Sequence, residues 1–76
     1  MLRFDYFFPE FAQFSDLDAS GVIIYIGYIT ADEYWMIEAF DQSNNSLRYA
    51  VGIGDYASNW TNRSLLVYDY LNKVLS

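Results

Sequence analysis

Between Asp32 and Asp41 the chain carries four carboxylates, Asp32, Glu33, Glu38 and Asp41, interleaved with Tyr34, Trp35 and Phe40. Carboxylates set beside aromatic rings are suited to one task that needs no cofactor. The charges draw in a Lys or Arg side chain of a partner, and the rings supply buried area once it has arrived. Asp16 and Asp18, just ahead of the apolar stretch Val22 to Ile29, and Tyr28 within it extend the set. The candidate partner-binding residues are therefore Asp32, Glu33, Glu38, Asp41, Asp16, Asp18, Tyr28 and Tyr34. Taken alone, the same acids also suit a solvated rim that keeps a small apolar protein in solution.

The charge is lopsided. Eight of the ten carboxylates fall in residues 1 to 47 against Arg3, a sum of −7, whereas residues 48 to 76 sum to +1. No Lys or Arg occurs between Phe4 and Leu47. Direct binding to DNA or RNA draws most of its free energy from Lys and Arg displacing counterions from phosphates, so this composition argues against it, and against anionic membranes for the same reason. The expected partner is a basic protein.

Catalysis is constrained by what the chain lacks. With no His and no Cys, the commonest general base and the thiol nucleophile are absent, leaving carboxylates, tyrosines and the single Lys73. Glu38 with Asp41 or Asp32 is the pair to consider for glycoside hydrolysis, but a 76-residue domain leaves little room for a cleft that excludes water. No catalytic residue is assigned, and the chain reads as a non-enzyme. Gly52-Ile53-Gly54 lacks the third Gly and the Lys-Ser/Thr of a phosphate loop and reads as a strand end or bulge.

These residues must be positioned by a small single domain. Sixteen aromatic side chains have to supply much of its stability, because no disulfide is available to help. Leu2, Phe4, Tyr6 and Phe8 alternate as in a strand that Pro9 ends, and Glu10 to Asp18, with Phe11, Phe14 and Leu17 three apart, suggests a turn or two of helix. Val22 to Ile29, Tyr34 to Phe40 and Leu47 to Ile53 read as consecutive strands, with a turn at Ser43 to Asn45.

Parity suggests pairing residue 39 with 49 and 37 with 51, which gathers Trp35, Ile37, Tyr49 and Val51 on one buried face. A final helix, capped by Thr61 or Asn62 and running to about Leu75, would lay Val67, Tyr70, Leu71 and Val74 on that face, with Asp69 and Lys73 paired four apart. Tyr25 and Tyr49 then fall in the core, while Tyr28, Tyr34 and Tyr56 are candidates for exposed anchors. The opposite face carries Val22, Ile24, Ile26, Tyr28, Tyr34, Met36 and Phe40, with Glu38 and Arg48 among them, and is too apolar to face water alone. The expected fold is α+β, a three- to four-stranded antiparallel meander with a C-terminal helix packed on one face.

Two resemblances follow from these residues. Asp16-Leu17-Asp18-Ala19-Ser20-Gly21-Val22-Ile23 resembles the opening of an EF-hand calcium loop, with oxygen ligands at positions 1, 3 and 5, Gly at 6 and an aliphatic residue at 8. It departs from that family at position 12, where Gly27 stands in place of the bidentate Glu, so no metal ligand is assigned and weak calcium binding is the third reading. In size, negative charge, absence of His and Cys, and aromatic density, the chain resembles small phage-encoded inhibitors of bacterial defence or DNA-processing enzymes, of the anti-CRISPR and uracil-DNA-glycosylase-inhibitor type. That resemblance implies a stoichiometric inhibitor acting in the cytoplasm, with Asp32, Glu33, Glu38 and Asp41 standing in for phosphates. The alternative is a protein that self-associates as a homodimer through its apolar sheet face. No cofactor is expected.

Overall fold

The computed structural model describes residues 13–74. They form a four-stranded antiparallel meander in which β1 (Gln13–Asp18), β2 (Ile23–Ile29), β3 (Tyr34–Asp41) and β4 (Ser46–Ile53) lie side by side in chain order. A short helix α1 (Tyr56–Thr61), a 3-10 turn (Arg63–Leu65) and a single helical turn α2 (Leu71–Val74) follow. The strand expected over residues 2 to 8 lies outside the described residues.

The three strands read from β-branched and aromatic runs are present within a residue of their expected ends. The expected helix over Glu10 to Asp18 is not formed in its described part, because Gln13–Asp18 is the edge strand β1. Apolar residues three apart suggest helix, yet here the register slips by one between Phe14 and Asp16, so that Phe14 pairs with Tyr28 and Leu17 with Ile26. One extra residue in the strand thus turns both side chains to the same face.

The pairing of β3 with β4 differs from the expected one by a single residue. Ile37 lies opposite Ala50, Ala39 opposite Arg48 and Trp35 opposite Gly52. A one-residue shift exchanges faces along an entire strand. Tyr49 and Val51 therefore leave the Trp35 face, and Arg48 joins it. Two local causes are visible. The loop between Asp41 and Ser46 has four residues, closed by Asp41 Oδ1 accepting from the Ser43 N–H (2.9 Å) and hydroxyl (2.6 Å), with Asn45 in the left-handed region at φ 60°. Opposite Trp35, moreover, only a glycine fits: a Cβ at position 52 would lie within the indole. The indole Nε1 donates to the Gly54 carbonyl at 2.8 Å, and Trp35 is buried.

On this first face Trp35, Ile37 and Ala50 form the core, joined by the partly buried Tyr25, Tyr56, Trp60, Leu66 and Tyr68. Tyr56 and Trp60 of α1 settle over Gly27, the residue opposite Ile37 on β2. The helix expected from residue 62 to 75 is not formed. Thr61 and Asn62 instead close α1, donating to the Ala57 and Ser58 carbonyls. The chain then runs extended, with Leu66 and Tyr68 packed inward while Val67, 88% exposed, points out.

Two backbone bonds between Tyr49 and Asp69, 2.8 and 3.0 Å, explain the preference. The outer edge of β4 offers donors and acceptors that an extended partner satisfies and a helix cannot. With Asp69 in that bridge, the helical four-residue spacing to Lys73 does not arise.

Position 27 gives a direct check on this packing. Gly27→Ala places a methyl group on the Tyr56 hydroxyl and against the Trp60 ring, and is expected to destabilise by about 1–3 kcal/mol. Thermal unfolding followed by circular dichroism should show Tm falling by roughly 4–8 °C for each kcal/mol lost. Gly21→Ala, with nothing within 4 Å of its added carbon, should change Tm little.

Candidate functional site

The acids singled out from the sequence are not gathered in one patch. Asp32 and Glu33 sit in the β2–β3 loop, Glu38 in the middle of β3, and Asp41 at its far end. At about 3.3 Å per residue, the ends of β3 are roughly 23 Å apart. Asp16 and Asp18 lie on β1 and face the other way from Glu38.

Asp16 and Asp18 are engaged within the protein. The Tyr56 hydroxyl donates to Asp16 Oδ2 at 2.8 Å, which ties the edge strand to α1. Tyr56 is thus part of the core rather than an exposed anchor, and burial, reinforced by that acceptor, pushes its hydroxyl up to about 12. Asp18 is held on both oxygens. Oδ1 accepts from the Ser20 N–H (3.0 Å) and hydroxyl (2.6 Å), and Oδ2 accepts from Nε (3.1 Å) and Nη2 (2.8 Å) of Arg63.

Arg63 also donates to the Trp60 carbonyl at 2.8 Å and lies 4.6 Å from the Trp60 ring centroid. The hydrogen bonds from Ser20, and after them Arg63, hold the Asp18 carboxyl down at about 2. In the segment that resembles a calcium loop, a guanidinium therefore occupies one oxygen of the second acid. Among the described residues no group of three or more acidic, His or Cys side chains is disposed to hold a metal ion.

The second face of the sheet holds a different arrangement. Tyr28, Met36, Glu38, Tyr49 and Val51 share it, with Ile26 and Tyr49 directly opposite Glu38 on the neighbouring strands. The Tyr28 hydroxyl donates to Glu38 Oε1 at 3.5 Å, the long limit for such a bond. Tyr34 also belongs to this face, at the start of β3, and Phe14, Leu17, Leu47 and Ile53 are exposed apolar residues around it.

No Arg or Lys among the described residues forms an ion pair with Glu38. Burial pushes its carboxyl above the usual range, with the Tyr28 hydroxyl pulling the other way. Burial and the Glu38 charge likewise raise the Tyr28 and Tyr49 hydroxyls. Tyr49 was missed from the candidate set because the expected register placed it in the core.

Met36, next to Glu38 on this face, is fully buried. The arrangement consists of a half-buried carboxylate with Tyr49 opposite it on β4 and the Tyr28 hydroxyl at 3.5 Å. Among the described residues it holds no paired acid and base and no nucleophile activated by a neighbour.

No protein-family model matches the chain, and neither the curated proteins nor the solved structures contain a significant match to it. No helix among the described residues is long and apolar enough to cross a membrane.

The two carboxylates predict opposite pH effects. Asp18 has a depressed folded-state pKa, so its contribution to stability is present above about pH 4 and is lost as pH falls towards about 2. Asp18→Asn should flatten that acid limb of Tm against pH. Glu38 has a raised folded-state pKa, so the folded state holds its proton more tightly than the unfolded one, and stability falls as pH rises through the window above the ordinary Glu value. Glu38→Gln should remove that fall and raise Tm at pH 7. A Glu38 carboxyl titrating at or below the ordinary value in an NMR titration would contradict this.

Proposed function

We propose that the chain is an acidic protein-binding inhibitor, acting in the cytoplasm, that occupies a nucleic-acid-binding surface of an enzyme. The observation that supports this most is which charges are paired within the protein. Arg63 is held on the first face by Asp18 and Trp60, and Arg48 by the Tyr70 ring, 4.0 Å from its centroid, and the Tyr70 hydroxyl at 3.1 Å. Asp32, Glu33, Glu38 and Asp41 have no ion pair with a cation among the described residues.

A protein with four Lys and Arg against ten acids, whose Arg63 is paired with Asp18, presents a negative exterior. Such an exterior accelerates encounter with a basic groove and excludes other polyanions from it. The acids act here as separated charges, at intervals of roughly 10–17 Å along β3, rather than as one continuous stripe.

Capture from a bacterial lysate on the immobilised protein tests the reading. The expected result is retention of nucleic-acid-binding proteins that are released by added duplex DNA and by raising salt from 50 to 300 mM. A variant combining Asp32→Asn, Glu33→Gln, Glu38→Gln and Asp41→Asn should lose them. Retention of the same proteins by both forms, indifferent to DNA and salt, would overturn it.

A further inference from the structure

The chain passes from the sheet to the cover of its first face at one residue. Up to Gly54 it is fixed to its own sheet, since the Gly54 N–H donates to the Glu33 carbonyl at 2.8 Å and the Gly54 carbonyl accepts from Trp35 Nε1 at 2.8 Å. From Tyr56 onward it is fixed to the first face, where Tyr56, Trp60, Leu66 and Tyr68 pack against Trp35, Ile37 and Ala50. Asp55 lies between these two anchorages, in the left-handed region at φ 60° and ψ 32°.

That conformation suits the position badly. The residue that caps a helix N-terminus ordinarily has an extended backbone, and an aspartate there accepts an amide hydrogen from the second or third residue of the helix. Asp55 has a left-handed backbone, and its carboxylate makes no capping bond to α1. In that region a Cβ crowds the backbone, a cost from which Gly54, at φ 76°, is free. Returning Asp55 to an extended backbone would remove the crowding and bring its carboxylate towards the Ala57 and Ser58 N–H groups. It would also swing α1 off its own sheet.

A second copy of the chain offers α1 the same seat. The contacts that fasten the cover run between residues distant in sequence: the Tyr56 hydroxyl to Asp16, Arg63 to Asp18, and the Asp69 backbone to Tyr49. None of them requires that both partners belong to one copy. The space above Gly27, shaped to Tyr56 and Trp60, is likewise present in every copy.

We infer that Asp55 is the hinge of an exchange in which the segment from Tyr56 onward in one copy covers the first face of another, giving a twofold dimer closed by the contacts of the monomer.

Two hinges relaxed at once favour the exchanged form, and such short, strained connections are where exchange arises. Lost freedom of motion and the net charge of −6 on each copy oppose it. The exchanged dimer therefore belongs to high protein concentration and to high salt, the reverse of the salt effect expected for capture of a basic partner. Passage between the forms uncovers Trp35 and Ile37, so it is slow, and a dimer once formed outlasts dilution.

The test is complementation between two charge-reversed chains. Asp18→Arg alone sets two arginines together, and Arg63→Asp alone sets two aspartates together. Only exchange between the two variants pairs each Arg with an Asp. Refolded as an equimolar mixture, they should give a one-to-one heterodimer by light scattering that melts above either variant on its own. A mixture that gives only the separate variants, folded or unfolded as each is alone, would overturn the inference.

The hinge itself is tested in the natural chain, refolded at millimolar concentration. Asp55→Gly accepts a positive φ freely and should raise the dimer dissociation constant by about ten- to thirtyfold, because both monomers are relieved. Asp55→Thr, a capping residue whose branched Cβ disfavours that region, should lower it. Both changes remove the same charge, so electrostatics cancel between them. A monomer in all three proteins, or dimers of equal strength in the two variants, would also overturn it.

Discussion

The fold depends on two places where the sheet has no side chain. At Gly52 the absence of a Cβ lets the Trp35 indole lie flat across β4 and reach the Gly54 carbonyl, and at Gly27 it lets Tyr56 and Trp60 come down onto β2. A sheet this small has few residues to bury, so close approach between ring and backbone does much of the work that a second layer of side chains does in larger domains. The first gap also selects the register of β4. That register sends Glu38 and Tyr49 to the opposite face together, and so the chemistry of the second face is a by-product of how the first one packs.

The acidic residues divide into those that hold the molecule together and those left outside. Asp16 and Asp18 anchor the edge strand to α1 and the turn after it, through Tyr56 and Arg63. A single ion pair at the surface contributes little on its own, but Arg63 joins Asp18, the Trp60 carbonyl and the Trp60 ring at once, and its own carbonyl accepts from Tyr68 at 2.8 Å. Asp18, Trp60 and Tyr68 thus meet at that one residue. Asp41 holds the β3–β4 loop through Ser43, and among the described residues Asp32, Glu33 and Glu38 form no ion pair.

Much of the architecture was legible from residue types. β-branched and aromatic runs marked β2, β3 and β4, and the short polar stretches between them marked the hairpins. Register was less legible, since an even or an odd loop between Asp41 and Ser46 satisfies the same alternation, and the deciding factor is the space a tryptophan needs opposite position 52. Residues 62 to 74 misled for a related reason: the spacing of Val67, Tyr70, Leu71 and Val74 suits a helix, but the backbone of β4 asks for an extended neighbour and obtains it at Asp69. Of the candidate binding residues, Tyr28, Tyr34 and Glu38 do share a face, as their shared even parity along β2 and β3 allows. The internal roles of Asp16 and Asp18 were illegible, because their partners, Tyr56 and Arg63, are 40 and 45 residues away in the chain.

The slip in β1 between Phe14 and Asp16 bears on more than which way two side chains point. An outermost strand with a regular ladder is an open template on which other chains can add themselves, and a small, aromatic-rich protein is exposed to that hazard. One surplus residue breaks the regular row of amides there, and carboxylates at Asp16 and Asp18 place negative charge along the same border. On the far side of the sheet, Asp69 occupies the middle of the β4 border with its own peptide group. Among the described residues, both margins of the sheet are thereby blunted against strand-by-strand polymerisation.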